Sequence, residues 1–539
     1  RGPGQFIEDF NANVSSGSYV FDNDISGVGG LVKDGSGTLE LAGANTFTGS
    51  TQVNAGVLAF SGDTASSVFV NDGGTYSSRG GKLGGNYTAR DGATTEVAVG
   101  SPLQVDGAAN LDGTLRLINP ATGYTVGGRE SVLEAGSVAG TFDATTYGSG
   151  FFWSATLDYS PTDVVANLTR TSGAASAASA GASQSVIDGA GQLDSLIGVL
   201  DGAVTGGNTQ GLEAVLDDAA AVMNATDGAA SASLSSLTGQ IHGTTRTLGV
   251  TGALNSARLH ADRLPSLAAT EQRTAWISGT HIDGDLDRSG YASASYRHNE
   301  LTVGIDVPVA GAVVGASISQ AEVKANIAGT RDAMESNSTG LTVYGVKPLG
   351  DAYVSGTLGY TTANVDSRRE ILVGTDLVGV SSDRDDSTWH ARVEAGLNFD
   401  NGLTPFVAAG TIRHKQDAFS ERGDTTLGLA AGSDTLNLNY LDVGLRHRFI
   451  SNQWTVDSLV AYRNAFDGTD TSFDAWFNGL PEGAFTINGQ PIGKEAVRAM
   501  VGVGYAHNDR VTFFGNVGAE KVSGQQDNVS AQVGVRVAF

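Results

Sequence analysis

The chain has 539 residues, roughly enough for two to four domains, and 75 of them are Gly against only 10 Pro, which excludes a coiled coil and favours many short strands. A net charge of −25 with no Lys/Arg cluster excludes a nucleic-acid surface, and the lack of Cys excludes disulfides and thiolate metal sites. There is no apolar run of about 18 residues, so no hydrophobic helix spans a membrane.

Residues 1 to 170 are short alternating pieces separated by Gly, Asn and Asp. The pieces "GSGTLELAG", "NAGVLAFSG", "NDGGTYSS", "GATTEVAVG", "LDGTLRLIN" and "RESVLEAGS" centre on Leu39, Leu58, Tyr76, Val97, Leu115 and Leu133, in steps of 19, 18, 21, 18 and 18. One coil of a parallel β-helix needs a step of that size, because each coil returns above the last to stack its apolar row. An antiparallel sandwich would repeat about every 8 to 12 residues.

Residues 171 to 265 are rich in Ala and Leu at helical spacing, for example Val186, Leu193, Leu196, Ile197 and Leu200, and then Leu212, Val215 and Leu216. A third piece, Gln240 to Arg263, is expected to start at a Thr238 cap and to end at Pro265. It would be about 36 Å long, enough to cross a hydrocarbon core of about 30 Å. Arg246, Arg258, Asp262 and Arg263 make it too polar to face lipid, so it is either a surface linker or a helix inside a water-filled pore.

From 270 to 539 the pattern is twelve strands of roughly ten residues or more, each with one apolar face, such as "STWHARVEAGLNFD" and "NVSAQVGVRVAF". Tight turns fall near Pro308, Lys347, Asp400, Ile450 and His507; longer links are expected near 284–290, 324–336, 367–387, 416–434, 466–494 and 521–527. Short turns alternating with long loops describe a transmembrane antiparallel barrel with the turns periplasmic, and a soluble sandwich does not require that alternation. Trp389, Phe399, Phe406, Phe449, Trp454, Tyr462, Tyr505 and Phe539 are the expected aromatic girdle. Arg392, Glu394, Arg413, Asp442, Arg446, Asp457, Arg463, Arg498 and Arg536 are expected to point into the lumen. That lumen, wider than an eight-stranded barrel's and narrower than a porin's, would admit one helix.

The stretch "GGLVKDGSGTLELAGANTFTGSTQVNAGVLAFSGD", Gly29 to Asp63, resembles the passenger-associated repeat of bacterial autotransporters. The order of solenoid, polar helix, twelve-strand barrel and terminal Phe resembles type Va autotransporters over nearly the whole chain. The fold this implies is mainly all-β: a right-handed parallel β-helix stub (1–170) with an autochaperone-like end near 100–170, an α-helical linker (171–265) whose pore helix is 240–263, and a 12-stranded translocator barrel (270–539). The resemblance further implies an outer-membrane location in a Gram-negative cell, a passenger exported to the cell surface, and insertion by the barrel-assembly machinery and periplasmic chaperones. It makes Val533, Val535, Val537 and Phe539 an assembly signal, and the barrel a monomer in outer-membrane lipid. "RGPGQFIEDFNANVSSGSYVFDNDISGVGGLVKDG" resembles the stretch after the protease domain of subtilisin-like serine protease autotransporters, without their "GTSM" nucleophile motif. Some relatives cut themselves at an Asn in the pore helix, and Asn255 with Ser256 is the candidate here, outside the usual Asn-Asn pattern.

No G-x-S-x-G, H-E-x-x-H, P-loop or C-x-x-C motif occurs, so neither a catalytic residue, a metal nor a cofactor is expected. Two alternatives remain at this level: a soluble β-helical adhesin, and a barrel with a hydrolase site on its loops. The second would use His390 or His414 with Asp383, Asp385, Asp386 and Glu421.

Overall fold

No single glycine-punctuated strand near the N-terminus can bury its apolar row alone, so the strands stack coil upon coil. The computed structural model describes residues 4–118, 123–148, 150–225, 227–268, 271–524 and 526–539, excepting the side chains of 4–6, 227 and 526. Parts of the expected passenger (1–3, 119–122 and 149) and of the expected barrel start (269–270) lie outside the described residues. The chain forms two units: Arg1–Ala182 with Val186–Ser235 and Val373–Asp376, and Ser183–Ser185 with Ser236–Leu372 and Leu377–Phe539.

In the first unit, one parallel sheet runs from Ser18–Phe21 through Thr38–Leu41, Gly56–Phe60, Gly74–Ser78, Thr94–Ala98 and Thr114–Ile118 to Ala144–Tyr147. Leu39 pairs with Leu58 and Leu58 with Tyr76, as the spacing predicts. Beyond Tyr76 the expected ladder is corrected. Tyr76 and Leu115 both pair with Thr95 rather than Val97, and Leu133 lies in the second sheet opposite Leu103. Thr95 and Val97 both point inward, so counting apolar centres cannot separate two positions that share a face.

The second sheet stacks Phe10–Asn13, Leu31–Asp34, Thr51–Val53, Val68–Val70, Tyr87–Ala89, Leu103–Leu111 and Gly128–Gly140. Parallel bridges through Ile25, Asn45, Thr64 and Leu83 form the third side of the coil. Inside, the Tyr76 ring lies 5.5 Å from Tyr87 and 6.1 Å from Phe60, and the Tyr87 hydroxyl meets Thr95 Oγ1 at 2.6 Å. The stack ends where Asp163–Arg170 pairs antiparallel with Gly128–Gly140 and with Trp153–Tyr159.

Four helices follow: α1 (Gly173–Ser179), α2 (Gln184–Thr205), α3 (Glu213–Asn224) and α4 (Asp227–Leu237). Arg170 ties α2 and α3 to the end of the stack. Its guanidinium lies 3.8 Å over the Trp153 ring, pairs with Asp201 at 2.9 Å and donates to the Thr125 carbonyl at 2.7 Å.

In the second unit the polar helix α5 runs Gln240–Leu267. Both expected ends are corrected. Gly239, left-handed at φ 61°, holds the N-cap position with no side-chain cap bond, and the helix continues through Pro265. Near a C-terminus, the amide that proline lacks costs only one interior bond.

The twelve barrel strands are β1 (Thr274–Leu286), β2 (Ala294–Val309), β3 (Ala312–Ile327), β4 (Ala333–Leu349), β5 (Ala352–Val373), β6 (Asp376–Leu397), β7 (Leu403–Gln416), β8 (Asp434–Ser451), β9 (Trp454–Asp467), β10 (Glu495–Ala506), β11 (Val511–Val522) and β12 (Gln526–Ala538). They close on themselves as β12 pairs antiparallel with β1, Val537 opposite Ala275 and Ala531 opposite His281. All five expected tight turns occur at their places. The expected long links near 324–336, 367–387 and 521–527 are instead mostly strand. β5 and β6 are 22 residues each, and only Gly374 and Thr375 separate them. At about 3.3 Å per residue and a tilt of about 45° such strands rise about 50 Å. They therefore project well beyond the hydrocarbon, where outward polar residues are compatible with strand. Among the described residues the long loops of the barrel are 417–433 and 468–494, and they fold together into a four-stranded sheet of Phe419–Ser420, Leu429–Ala431, Phe473–Phe477 and Phe485–Ile487.

Candidate functional site: the helix inside the barrel

Twelve strands about 4.8 Å apart and tilted about 40° make a backbone cylinder about 24 Å across. Inward side chains of about 6 Å on each side would leave a bore of about 12 Å, the width of one helix. Aromatic rings keep that bore open by lying flat over glycines of the paired strand. Tyr344 covers Gly315, Trp276 covers Gly304, Tyr440 covers Gly410 and Phe406 covers Gly444, each ring occupying the space that a Cβ would need.

α5 fills this bore and touches the wall on every side. Ile241 and Leu248 pack with Ile282, Tyr296 and Met334; Val250 and Leu254 with Ile412, Leu436 and Leu438; Leu264 and Leu267 with Trp276, Tyr344 and Tyr353. Arg246 pairs with Asp434 at 2.7 Å, Arg258 with Glu520 at 2.7 Å, and Arg263 with Asp306 at 2.7 Å. Asp262 lies between Arg446 at 3.2 Å and Arg498 at 2.8 Å, and His260 Nε2 meets Ser317 Oγ at 2.7 Å. Each charge that would be unaffordable in lipid therefore has an opposite charge in the wall. A helix that carries both apolar and charged side chains around its circumference, with no single apolar face, is what such a bore requires.

Among the expected lumen residues, Arg392, Glu394, Asp442, Arg446, Arg463 and Arg498 lie on the inward face. Glu394 accepts from Arg392 at 2.8 Å, Arg446 at 2.6 Å and the Tyr353 hydroxyl at 2.7 Å, while Arg392 also pairs with Asp442 at 3.3 Å and Arg463 with Glu520 at 3.6 Å. Asp457 is inward in phase but sits toward the turn-side end of β9, half-buried and paired with Arg448 at 2.7 Å rather than with the helix. Arg536 is inward opposite Trp276. Arg413 is a correction: it is exposed on the outer face opposite Trp389, because Ile412 and His414 take the inward positions of β7. The same alternation turns Phe406 inward, out of the expected girdle, where Arg446 lies 3.9 Å over its ring.

Val533, Val537 and Phe539 are exposed on the outer face with Val535, and the Phe539 amide donates to the Arg273 carbonyl at 2.9 Å. Asn255 and Ser256 are mid-helix. Asn255 lines a void of about 40 Å³ with Arg258, Arg498 and Glu520, and the Ser256 carbonyl is bonded to His260 Nδ1 at 2.8 Å.

Three of the four carboxylates considered for a loop hydrolase are held by cations, and the fourth, Asp385, accepts from Asn364 Nδ2 at 3.5 Å. Glu421 is held by Arg369 and His242, Asp386 by Arg384 and Asp383 by Arg422. His414 is bonded to Thr388 Oγ1 at 2.9 Å and lies 3.8 Å from Asp386, buried in the bore against Gly249 of α5. His390 is buried against Gly359.

Sequence reasoning missed two parts of the site. Asp306 and Glu300 are inward by the same alternation that selected the other residues, so that signal was present. The loop-side collar was not visible. There Gly243 meets the Gly489 backbone, Thr247 Oγ1 donates to the Gln490 carbonyl at 2.6 Å, and the Ala292 amide donates to Gln240 Oε1 at 2.6 Å.

Residues 275–518 match the autotransporter beta-domain, and residues 31–60 match the passenger-associated-transport-repeat. An extracellular serine protease of Serratia marcescens is 23% identical over 610 residues, covering 95% of this chain and 57% of the relative, so the chain spans little more than half of that protein's length. The autotransporter lipoprotein NalP of Neisseria meningitidis is 33% identical over 160 residues, 27% of this chain and 15% of NalP. The translocator domain of NalP aligns at a TM-score of 0.44 and 18% identity, over 54% of this chain and 98% of that one. With the repeat on the solenoid, the closed twelve-strand barrel and the helix within it, the chain carries the translocator unit of an outer-membrane autotransporter.

Proposed function

We propose that this unit exports and anchors a passenger that precedes the solenoid, and that α5 is the segment left in the bore when export ends, closing it. The solenoid stem would assist folding at the surface, each coil templating the next. The observation that carries this reading is the pairing of every buried charge of α5 with the wall. Outer-membrane lipid, the barrel-assembly machinery, periplasmic chaperones and the passenger itself are the proposed partners, with the barrel a monomer. The chain itself is proposed to be non-enzymatic, and a passenger of the serine protease class would fit the Serratia relatives.

Two measurements test this. The folded protein should migrate faster unboiled than boiled in a detergent gel, and deleting residues 240–263 should raise single-channel conductance. Conductance unchanged by the deletion would place the helix outside the bore and end the proposal.

A further inference from the structure

Five of the eight His residues, His242, His260, His298, His390 and His414, are buried inside the second unit. His242 differs from the rest because it joins three separate elements. Its Nε2 lies 2.8 Å from Glu421 Oε1, on the long loop between β7 and β8. Its Nδ1 lies 3.4 Å from Arg384 Nη1 on β6, and its ring stacks on Phe419 at 4.2 Å. Glu421 is gripped in turn by Arg369 of β5, through Nε to Oε1 at 2.7 Å and Nη2 to Oε2 at 2.9 Å, and it accepts the Leu429 amide at 2.7 Å. Arg369 also donates to the Ser236 carbonyl, just before α5, at 2.6 Å. The first turn of α5, the loop and the wall thus meet on one carboxylate.

The protonation state of His242 follows from its partners. A carboxylate can only accept, so Nε2 carries the proton; a guanidinium can only donate, so Nδ1 offers its lone pair. The imidazole is neutral. A proton on Nδ1 would set N–H against N–H and place a cation among Arg384, Arg369 and Arg246, with Glu421 already shared.

We propose that His242, Glu421 and Arg369 form a pH-sensitive latch that keeps the loop-side end of α5 in the bore and releases it when His242 takes up a proton. This rests on the reading of α5 as the plug. Of the other charges facing the latch, Arg384 is paired with Asp386 at 3.0 Å, Arg246 with Asp434, His414 lies 3.8 Å from Asp386, and Asp332, near Arg369 and Glu421, accepts the Glu370 amide at 3.3 Å. Burial pushes the Glu421 carboxyl up, but the Arg369 guanidinium and His242 outweigh it and hold it at about 2. Glu421 is therefore ionised throughout mild acid, and of the three side chains of the latch His242 is the one that responds.

A released imidazole titrates near 6.5, and a state that takes up one more proton gains about tenfold per pH unit below that value. Between pH 7 and pH 4.5 the ratio of open to closed channel should rise about 70-fold.

The experiment uses the full chain in planar bilayers, titrated on the loop side. His242→Gln, whose amide can still donate to Glu421 from the Nε2 position and takes no proton, should show the same ratio at both pH values, and His281→Asn, exposed on the outer face of the barrel, should keep the wild-type rise. Should His242→Gln already open at pH 7, its ratio must still be flat with pH. A wild type that ignores pH, a rise retained in His242→Gln, or a rise abolished in His281→Asn would overturn the latch. Removing 240–263 separates the two proposals. An open, pH-independent channel supports the plug, whereas a channel unaffected by the deletion fails the plug itself.

Discussion

Arg258 of α5 and Glu520 of β11 are 5% and 6% exposed and 2.7 Å apart, so their pairing should behave as a buried ion pair. Removing one side of such a pair strands the other charge and costs about 3–5 kcal/mol. Here each ion has a weaker second partner, Asp442 at 3.8 Å from Arg258 and Arg463 at 3.6 Å from Glu520, which places both single changes near the lower end. Arg258→Met and Glu520→Gln should therefore each cost about 3 kcal/mol. Together they remove the charge that the other change would strand, so the double variant should cost about 4 kcal/mol rather than about 6, a coupling of about 2 kcal/mol. An exposed pair would couple by less than about 1 kcal/mol. Reversible urea unfolding in detergent micelles, followed by tryptophan fluorescence, reads all four corners of the cycle. Single effects that add to within about 0.5 kcal/mol would show that the helix charge is solvated and would refute the account of the bore.

A Cβ on Gly243 would come 2.5 Å from Gly489 Cα, so Gly243→Ala should shift helix or loop at a cost of about 1–3 kcal/mol and expose the 468–494 loop to faster proteolysis. Tyr76→Ala, in the solenoid core, should cost about 3–5 kcal/mol in the unfolding of the first unit, measured by near-ultraviolet circular dichroism; a smaller loss would mean that the coil collapses onto the cavity. Glu421 titrates at about 2 when folded and near 4.3 when unfolded, so its stabilisation is complete above the higher value and is lost as pH falls toward the lower. Glu421→Gln should flatten acid unfolding across that window. Deleting Phe539 should lower the yield of heat-modifiable barrel in cells while leaving the melting temperature of the folded fraction nearly unchanged; equal loss of both would make Phe539 merely structural.

The barrel was legible because a two-residue period survives wherever one face meets lipid and the other meets charge, as in Arg392, Val393 and Glu394. Arg413 shows the limit. Near a strand end, outward positions are polar too, so charge no longer marks the lumen side, and only the phase set by Ile412 and His414 decides it. Loop lengths were overestimated for the same reason, since the polar stretch around Arg368 to Thr388 is strand standing in water. The step of the solenoid was legible, but not its register beyond Tyr76. The latch at Glu421 was invisible because it joins residues 179 apart in sequence through a loop, and no local pattern reports such a meeting.

The rings laid over Gly315, Gly304, Gly410 and Gly444 carry a consequence for how the protein can vary. A Cβ at those glycines would stand 2.2–2.5 Å from its ring, so the ring would have to lift by about 1–1.5 Å to reach a contact distance of about 3.5–4 Å, toward an axis with no spare room. The wall itself would survive such a change, since strand pairing does not depend on it. What would be lost is the gauge of the bore, so substitutions there should yield barrels that assemble soundly yet, under the proposed export function, stall with their cargo half-delivered.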